Sequence, residues 1–156
     1  MPPKILLIDD DPNIIRLLSF GLQAEGMEIS SATSGAQGIE AARSSLPDLI
    51  VLDVMMPGMD GKEVLRRIRS LPNLSSVPVI ILSARTMTAD KVEAFNIGAD
   101  DYITKPVELD ELVARIRVRL PRAASREAVP APSAARVVAM VGAKGGVGVT
   151  TLAVNL

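Results

Sequence analysis

Residues 5–12, Ile5-Leu6-Leu7-Ile8-Asp9-Asp10-Asp11-Pro12, decide how this chain folds. Four apolar residues in a row, without polar alternation, read as a strand buried on both faces. Asp11 is a good helix N-cap, and Pro12 suits the first helical position because its missing N–H has no partner to lose there. The helix so started places Ile14, Leu17, Leu18 and Leu22 on one face, and Gly26 ends it. Strand, acidic loop and helix come as one unit.

That unit recurs. A weak strand around Glu28 to Ser31 precedes Ser34-Gly35-Ala36-Gln37, which fits a capping box for a second helix stopping before Pro47. Leu49 to Leu52 predicts a third strand, a Pro/Gly-rich loop runs through Gly61, and Val64, Leu65 and Ile68 mark a third helix. Val77 to Leu82 predicts a fourth strand, and a fourth helix runs through Val92 and Phe95 to Gly98. Tyr102-Ile103 predicts a short fifth strand. Leu109, Leu112, Val113 and Ile116 follow at i, i+3, i+4 and i+7, the spacing of an amphipathic helix. Five βα units with strands apolar on both faces predict an α/β, flavodoxin-like, doubly wound five-stranded parallel sheet with five helices, in the order 2-1-3-4-5.

Composition narrows the chemistry. The 156 residues contain no cysteine and no histidine, which excludes thiolate nucleophiles, disulfides, a histidine base and Cys/His zinc sites. Phe20, Phe95 and Tyr102 are the only aromatics, too few for a base-stacking platform. Seventeen basic residues against eighteen acidic ones give a net charge of −1, which argues against a non-specific polyanion binder. The apolar run at residues 5–8 is too short for a signal-peptide core or a membrane span, so a cytoplasmic chain without membrane insertion is expected. Residues 1–120 hold the βα units. Residues 121–134, rich in Pro, Ala and Ser, read as a semi-extended linker, and residues 135–156 begin a second strand–loop–helix pattern that stops in mid-helix.

Asp9, Asp10 and Asp53 fall where predicted strands end, and open parallel sheets bind ligands at those carboxyl ends. Two carboxylates ~4 Å apart repel by about 4 kcal/mol at an effective dielectric of about 20. A hard divalent cation such as Mg²⁺ relieves that repulsion. Helix capping or solvated loop charges are the bland alternative, and Asp11 is read as a cap.

ILLIDDDP, VLDVMMPGMDG around Asp53, ILSA ending at Ser83 and DDYITKP with Lys105 form an ordered set. Together they resemble the response-regulator receiver domain of two-component signalling, over roughly residues 3–120. The resemblance implies that Asp53 accepts a phosphoryl group from a histidine kinase or phosphotransfer partner. It implies that Asp10 ligates Mg²⁺, that Asp9 does so through water, and that the Met55 carbonyl completes the protein's share. Ser83 and Lys105 would meet phosphoryl oxygens, and Lys105-Pro106 would be the cis bond of the family. At most slow self-dephosphorylation is implied, not enzymatic turnover.

On its own Tyr102 reads as a core tyrosine with a wet hydroxyl; the resemblance makes it a rotameric switch that turns inward as Ser83 is drawn toward a phosphoryl group. The face of helix four, strand five and helix five would then change shape. Lys91, Asp100, Asp101, Glu111, Arg115 and Arg119 on that face resemble the charged set of a symmetric receiver homodimer, or else form an ordinary solvated surface. No DNA-reading motif follows the arginines from Arg115 to Arg126, so direct nucleic-acid binding is not expected.

Residues 142–151, GAKGGVGVTT, carry phosphate-loop glycines at Gly145, Gly146 and Gly148, and Thr150 as a Mg²⁺ hydroxyl. Ala143 and Val149 stand where the usual motif has glycine and lysine, and Lys144 remains. The wording resembles the degenerate phosphate loop of MinD/ParA-type ATPases, and behind a receiver it is most similar to the CpaE/TadZ proteins that position Tad-type pilus machinery. These residues are not expected to hydrolyse ATP. Two rival functions follow: a constitutive interaction or localisation module of a pilus-assembly ATPase, and a nucleotide-binding protein centred on Lys144 to Thr151.

Overall fold

A computed structural model describes residues 1–120. Its elements alternate strictly: β1 (Lys4–Ile8), α1 (Pro12–Ala24), β2 (Glu28–Ala32), α2 (Gly35–Ser45), β3 (Leu49–Asp53), α3 (Gly61–Ser70), β4 (Val79–Ser83), α4 (Thr88–Ile97), β5 (Asp101–Thr104) and α5 (Leu109–Arg119). The sheet is parallel, in the order β2-β1-β3-β4-β5. The expected architecture is present in full. The linker expected at residues 121–134 and the phosphate-loop stretch with Lys144, Gly145, Gly146, Gly148 and Thr150 lie outside the described residues.

Each central strand sends alternate side chains to two cores. Leu6, Ile8, Ile50, Leu52, Val79 and Ile81 pack under α2, α3 and α4 with Val64, Leu65, Ile68 and Tyr102. Ile5, Leu7, Leu49, Val51, Ile80 and Leu82 pack on the other face with Leu18, Leu22, Leu112, Val113 and Ile116. Burial on both sides is why these strands read as unbroken apolar runs.

Asp11 caps α1, its side chain accepting the Asn13 N–H at 2.9 Å, with Pro12 in the first turn. Ser34 caps α2 by accepting the Gln37 N–H, but the return arm of the box differs from expectation. Gln37 reaches one residue further back, to the N–H and hydroxyl of Thr33.

Two further expectations are corrected. Leu17 is 70% exposed: Ile15, Leu18 and Leu22 face the sheet, and Leu17 lies about 100° round the helix from Leu18. β4 starts at Val79, not Val77, because the Val77 N–H closes a turn on Leu74 and Pro78 has no N–H to give. The fourth helix does run through Val92 and Phe95 to Gly98 as expected; both side chains face outward, and Ala94 is its one fully buried side chain.

The turn from α4 to β5 is held from α3. Arg69 donates to the Gly98 carbonyl (2.7 and 3.0 Å), the Val77 carbonyl (2.8 Å) and the Asp100 carboxylate (2.9 Å). The same Asp100 oxygen accepts the Val79 N–H. Gly98 has φ +126°, and a Cβ there would press into the Arg69 side chain, so glycine is required twice over.

Leu52, fully buried in β3, and Leu17 test this account. Leu52→Ala is expected to lower unfolding free energy by about 3 kcal/mol. Leu17→Ala should change it by no more than about 0.5 kcal/mol, both measured by urea denaturation.

Candidate functional site

β1 and β3 are neighbours, with Ile8 opposite Leu52, so the residues just past their ends share one edge of the sheet. That edge holds Asp9, Asp10 and Asp53, each of which offers one carboxylate oxygen within 4.8 Å of the other two. Asp9 and Asp53 are buried (3% and 2% exposed), and Asp10 is open to solvent. The Asp11 N–H donates to Asp9 at 2.9 Å, so the residue that caps α1 also orients the pocket. Gly61 opens α3 against the backbone of Asp53 and donates its N–H to the Val54 carbonyl at 2.8 Å; a Cβ at Gly61 would collide with the Asp53 carbonyl. The phosphoacceptor candidate is thereby fixed from both sides of its strand end.

Lys105 answers the negative charge. It follows β5, and its ammonium lies 3.0 Å from Asp53 and 3.2 Å from Asp9. The Lys105–Pro106 bond is cis, and the Lys105 N–H donates to the Ser83 carbonyl at 2.8 Å. Burial opposes the lysine's charge, but the hydrogen bond and charge of Asp53, with those of Asp9, outweigh it and raise its pKa. Burial also raises the pKa of Asp53, helped by the charges of Asp9 and Asp10, against the opposing pull of Lys105. One ammonium does not satisfy three carboxylates. The donors are all hard oxygens with one member exposed, which fits an oxygen-preferring cation that keeps some of its own water.

Ser83, fully buried at the end of β4, and Tyr102 are joined through one residue. The Arg85 N–H donates to Ser83 Oγ at 3.0 Å, and the Tyr102 hydroxyl donates to the Arg85 carbonyl at 2.9 Å. Tyr102 lies inward, packed in the core under α3 and α4, with its hydroxyl held by the Arg85 carbonyl. Sequence reasoning did not find the bridging role of Arg85, because backbone groups perform it and any residue but proline supplies them.

The charged face divides. Arg115 bonds Asp101 at 2.8 Å and Glu111 at 3.0 Å, and Arg119 approaches Asp101 at 3.7 Å, so these four form one network. The Asp101 partner chiefly accounts for the raised pKa of Arg115. Asp100 turns instead to Arg69, and Lys91 stands 5.8 Å from the Tyr102 ring centroid.

The family described as "Response regulator receiver domain" matches residues 5–117. The chain belongs to that family. The receiver is 42% identical over 120 residues to the DNA-binding dual master transcriptional regulator RpaA of Synechocystis, covering 77% of this chain and 50% of that protein. It is 46% identical over 116 residues to the transcriptional regulatory protein YkoG of Bacillus subtilis, again covering 50% of the relative and 74% of this chain. The chain thus spans about half the length of the curated relatives it matches. The receiver domain of the Francisella response regulator 1452 superposes with a TM-score of 0.70 at 37% identity, over 74% of this chain and 94% of that one. The chemotaxis protein CheY4 of Vibrio cholerae gives 0.74 at 28%, over 77% and 100%. Receivers are regulatory domains of two-component response regulators, and among the described residues no helix is long and apolar enough to cross a membrane.

Because the folded receiver holds a proton on Asp53 more tightly than an unfolded chain does, ionised Asp53 costs stability above the ordinary carboxylate range and not below it. In EDTA at neutral pH, Asp53→Asn is expected to stabilise the fold by about 1 kcal/mol, because it removes a charge disfavoured by burial and by its acidic neighbours, against the loss of the Lys105 pair. The gain should shrink as pH falls toward ~4. Urea denaturation at several pH values checks it.

Proposed function

We propose that this receiver is switched by phosphorylation of Asp53, with Mg²⁺ held by Asp10, Asp53, the Met55 carbonyl and, through water, Asp9. The juxtaposition of Asp53 with Asp9, Asp10 and Lys105 carries the reading. The donor is a histidine kinase or phosphotransfer protein. An Asp53 oxygen forms the new bond to phosphorus while the donor's N–P bond breaks, and the donor imidazole leaves with that electron pair. Bound Mg²⁺ supplies charge neutralisation on the phosphoryl oxygens. Lys105 moves its ammonium from the Asp53 carboxylate to a phosphoryl oxygen, and the Ser83 hydroxyl donates to another.

Ser83 reaches the output face through Arg85. Drawing Ser83 Oγ toward a phosphoryl oxygen pulls on the Arg85 N–H, and the carbonyl of the same residue holds Tyr102. The inward tyrosine is one of two positions of the ring, and phosphorylation raises its population. The face of α4, β5 and α5 then associates with a second copy. A two-fold interface can exchange the pairs among Asp101, Glu111, Arg115 and Arg119 between chains without changing their number.

Incubation with acetyl phosphate and Mg²⁺ should add one phosphoryl group to the wild type by intact mass. EDTA or Asp53→Asn should prevent it. No addition to the wild type would sink the phosphorylation reading and favour a constitutive interaction module.

In the phosphorylated chain, Arg115→Ala should weaken self-association roughly tenfold or more by sedimentation velocity. Unchanged association would remove this face from the interface.

A further inference from the structure

α4 is weakly anchored to the core. Ala94 is its one fully buried side chain, and no side chain caps its N-terminus. Charge does much of the holding. Lys62 of α3 lies 2.6 Å from Glu93 of α4, Arg66 of α3 reaches the other Glu93 oxygen at 4.0 Å, and Arg85 pairs with Asp90 at 3.6 Å. The Lys62 bond and charge keep the Glu93 carboxyl below the usual carboxylate range.

Lys62 has a second neighbourhood. It follows Gly61, whose backbone packs on that of Asp53, and its side chain lines a cleft with Val54, Met55 and Met56, the residues directly after Asp53. The Lys62 side chain is only 16% exposed, so its charge is less screened than that of a surface lysine. One cation therefore ties down α4 and lines a cleft that opens beside the residues following Asp53.

We infer that the Lys62–Glu93 pair is a charge latch that holds α4 on α3 and is loosened when a phosphoryl group on Asp53 competes for the lysine. The inference rests on the phosphorylation reading above and adds a route to α4 separate from Ser83 and Tyr102. A phosphoryl group brings negative charge and strong acceptor oxygens, and Lys62 has ammonium hydrogens to share with them. Attraction toward Asp53 weakens the hold on Glu93, and apart from Ala94 and two longer ion pairs α4 has few anchors.

Hydrogen–deuterium exchange of the α4 amides in the full chain, with and without acetyl phosphate and Mg²⁺, tests the latch. In the unmodified chain, Glu93→Gln should speed α4 exchange roughly two- to fivefold, the scale of one ion pair. Phosphorylation should speed it in the wild type and add little in Glu93→Gln.

The charge-reversed double variant, Lys62→Glu with Glu93→Lys, separates the latch from mere structural support. It keeps an ion pair, but the phosphoryl group now repels residue 62 toward α4, so phosphorylation should slow α4 exchange or leave it unchanged. Unaltered α4 exchange in Glu93→Gln, or the same speeding in the reversed variant as in the wild type, would overturn the inference. Intact mass on the same samples tells the failures apart. A chain that takes no phosphoryl group sinks the reading above and leaves the latch without its trigger, whereas a modified wild type whose α4 does not loosen refutes the latch alone.

Discussion

The ammonium of Lys105, 3.0 Å from Asp53 and 3.2 Å from Asp9, is the contact on which the arrangement of this domain depends. Two buried carboxylates with a third at their side cannot share one sheet edge without a cation. The lysine comes from much later in the sequence, just after β5, and reaches them because the parallel strands all end on the same edge of the sheet. The cis bond to Pro106 and the Lys105 N–H on Ser83 fix where its side chain begins. The acids and their counter-ion thus meet at one edge of the sheet.

The two apolar cores make the sheet a rigid base, and the chemistry gathers where regular structure stops. Asp53 ends β3 and Ser83 ends β4, both against fully buried neighbours, while Arg85 and Met55 lie on loops just beyond. Rigid strands hold the acceptor and the hydroxyl; the loops beyond them can move. α4 joins the second group. Its few buried contacts make it an element of low local stability, the kind that changes position when a small charge is added nearby.

The sheet order, all ten elements and the acidic cluster were legible in the sequence, because unbroken apolar runs, Asp11-Pro12 and the strand-end acids each have a direct physical reading. What was not legible depends on angle or on backbone. Leu17 looked like a core residue because it neighbours Leu18, and only the helix rotation sends it outward. Val77 looked like strand until its N–H was found in a turn. Arg69 and Lys62 gave no signal, since a basic residue on an amphipathic helix is ordinarily solvated and only tertiary contact gives it a partner. Asp100 sits beside Asp101 in sequence, yet the two carboxylates turn to different arginines on different helices.

The Arg69 clamp has a consequence for building chimaeras. Gly98, Asp100 and the carbonyl of Val77 are bound by one guanidinium from α3, so the α4–β5 corner is not a self-contained cassette. Grafting the α4–β5–α5 segment of another receiver onto this scaffold would transfer the visible surface and leave its support behind. Unless the graft keeps glycine and an acid at those two places, the host arginine loses its acceptors. The smallest exchangeable unit therefore begins in the last turn of α3, well before the surface it would be meant to transplant.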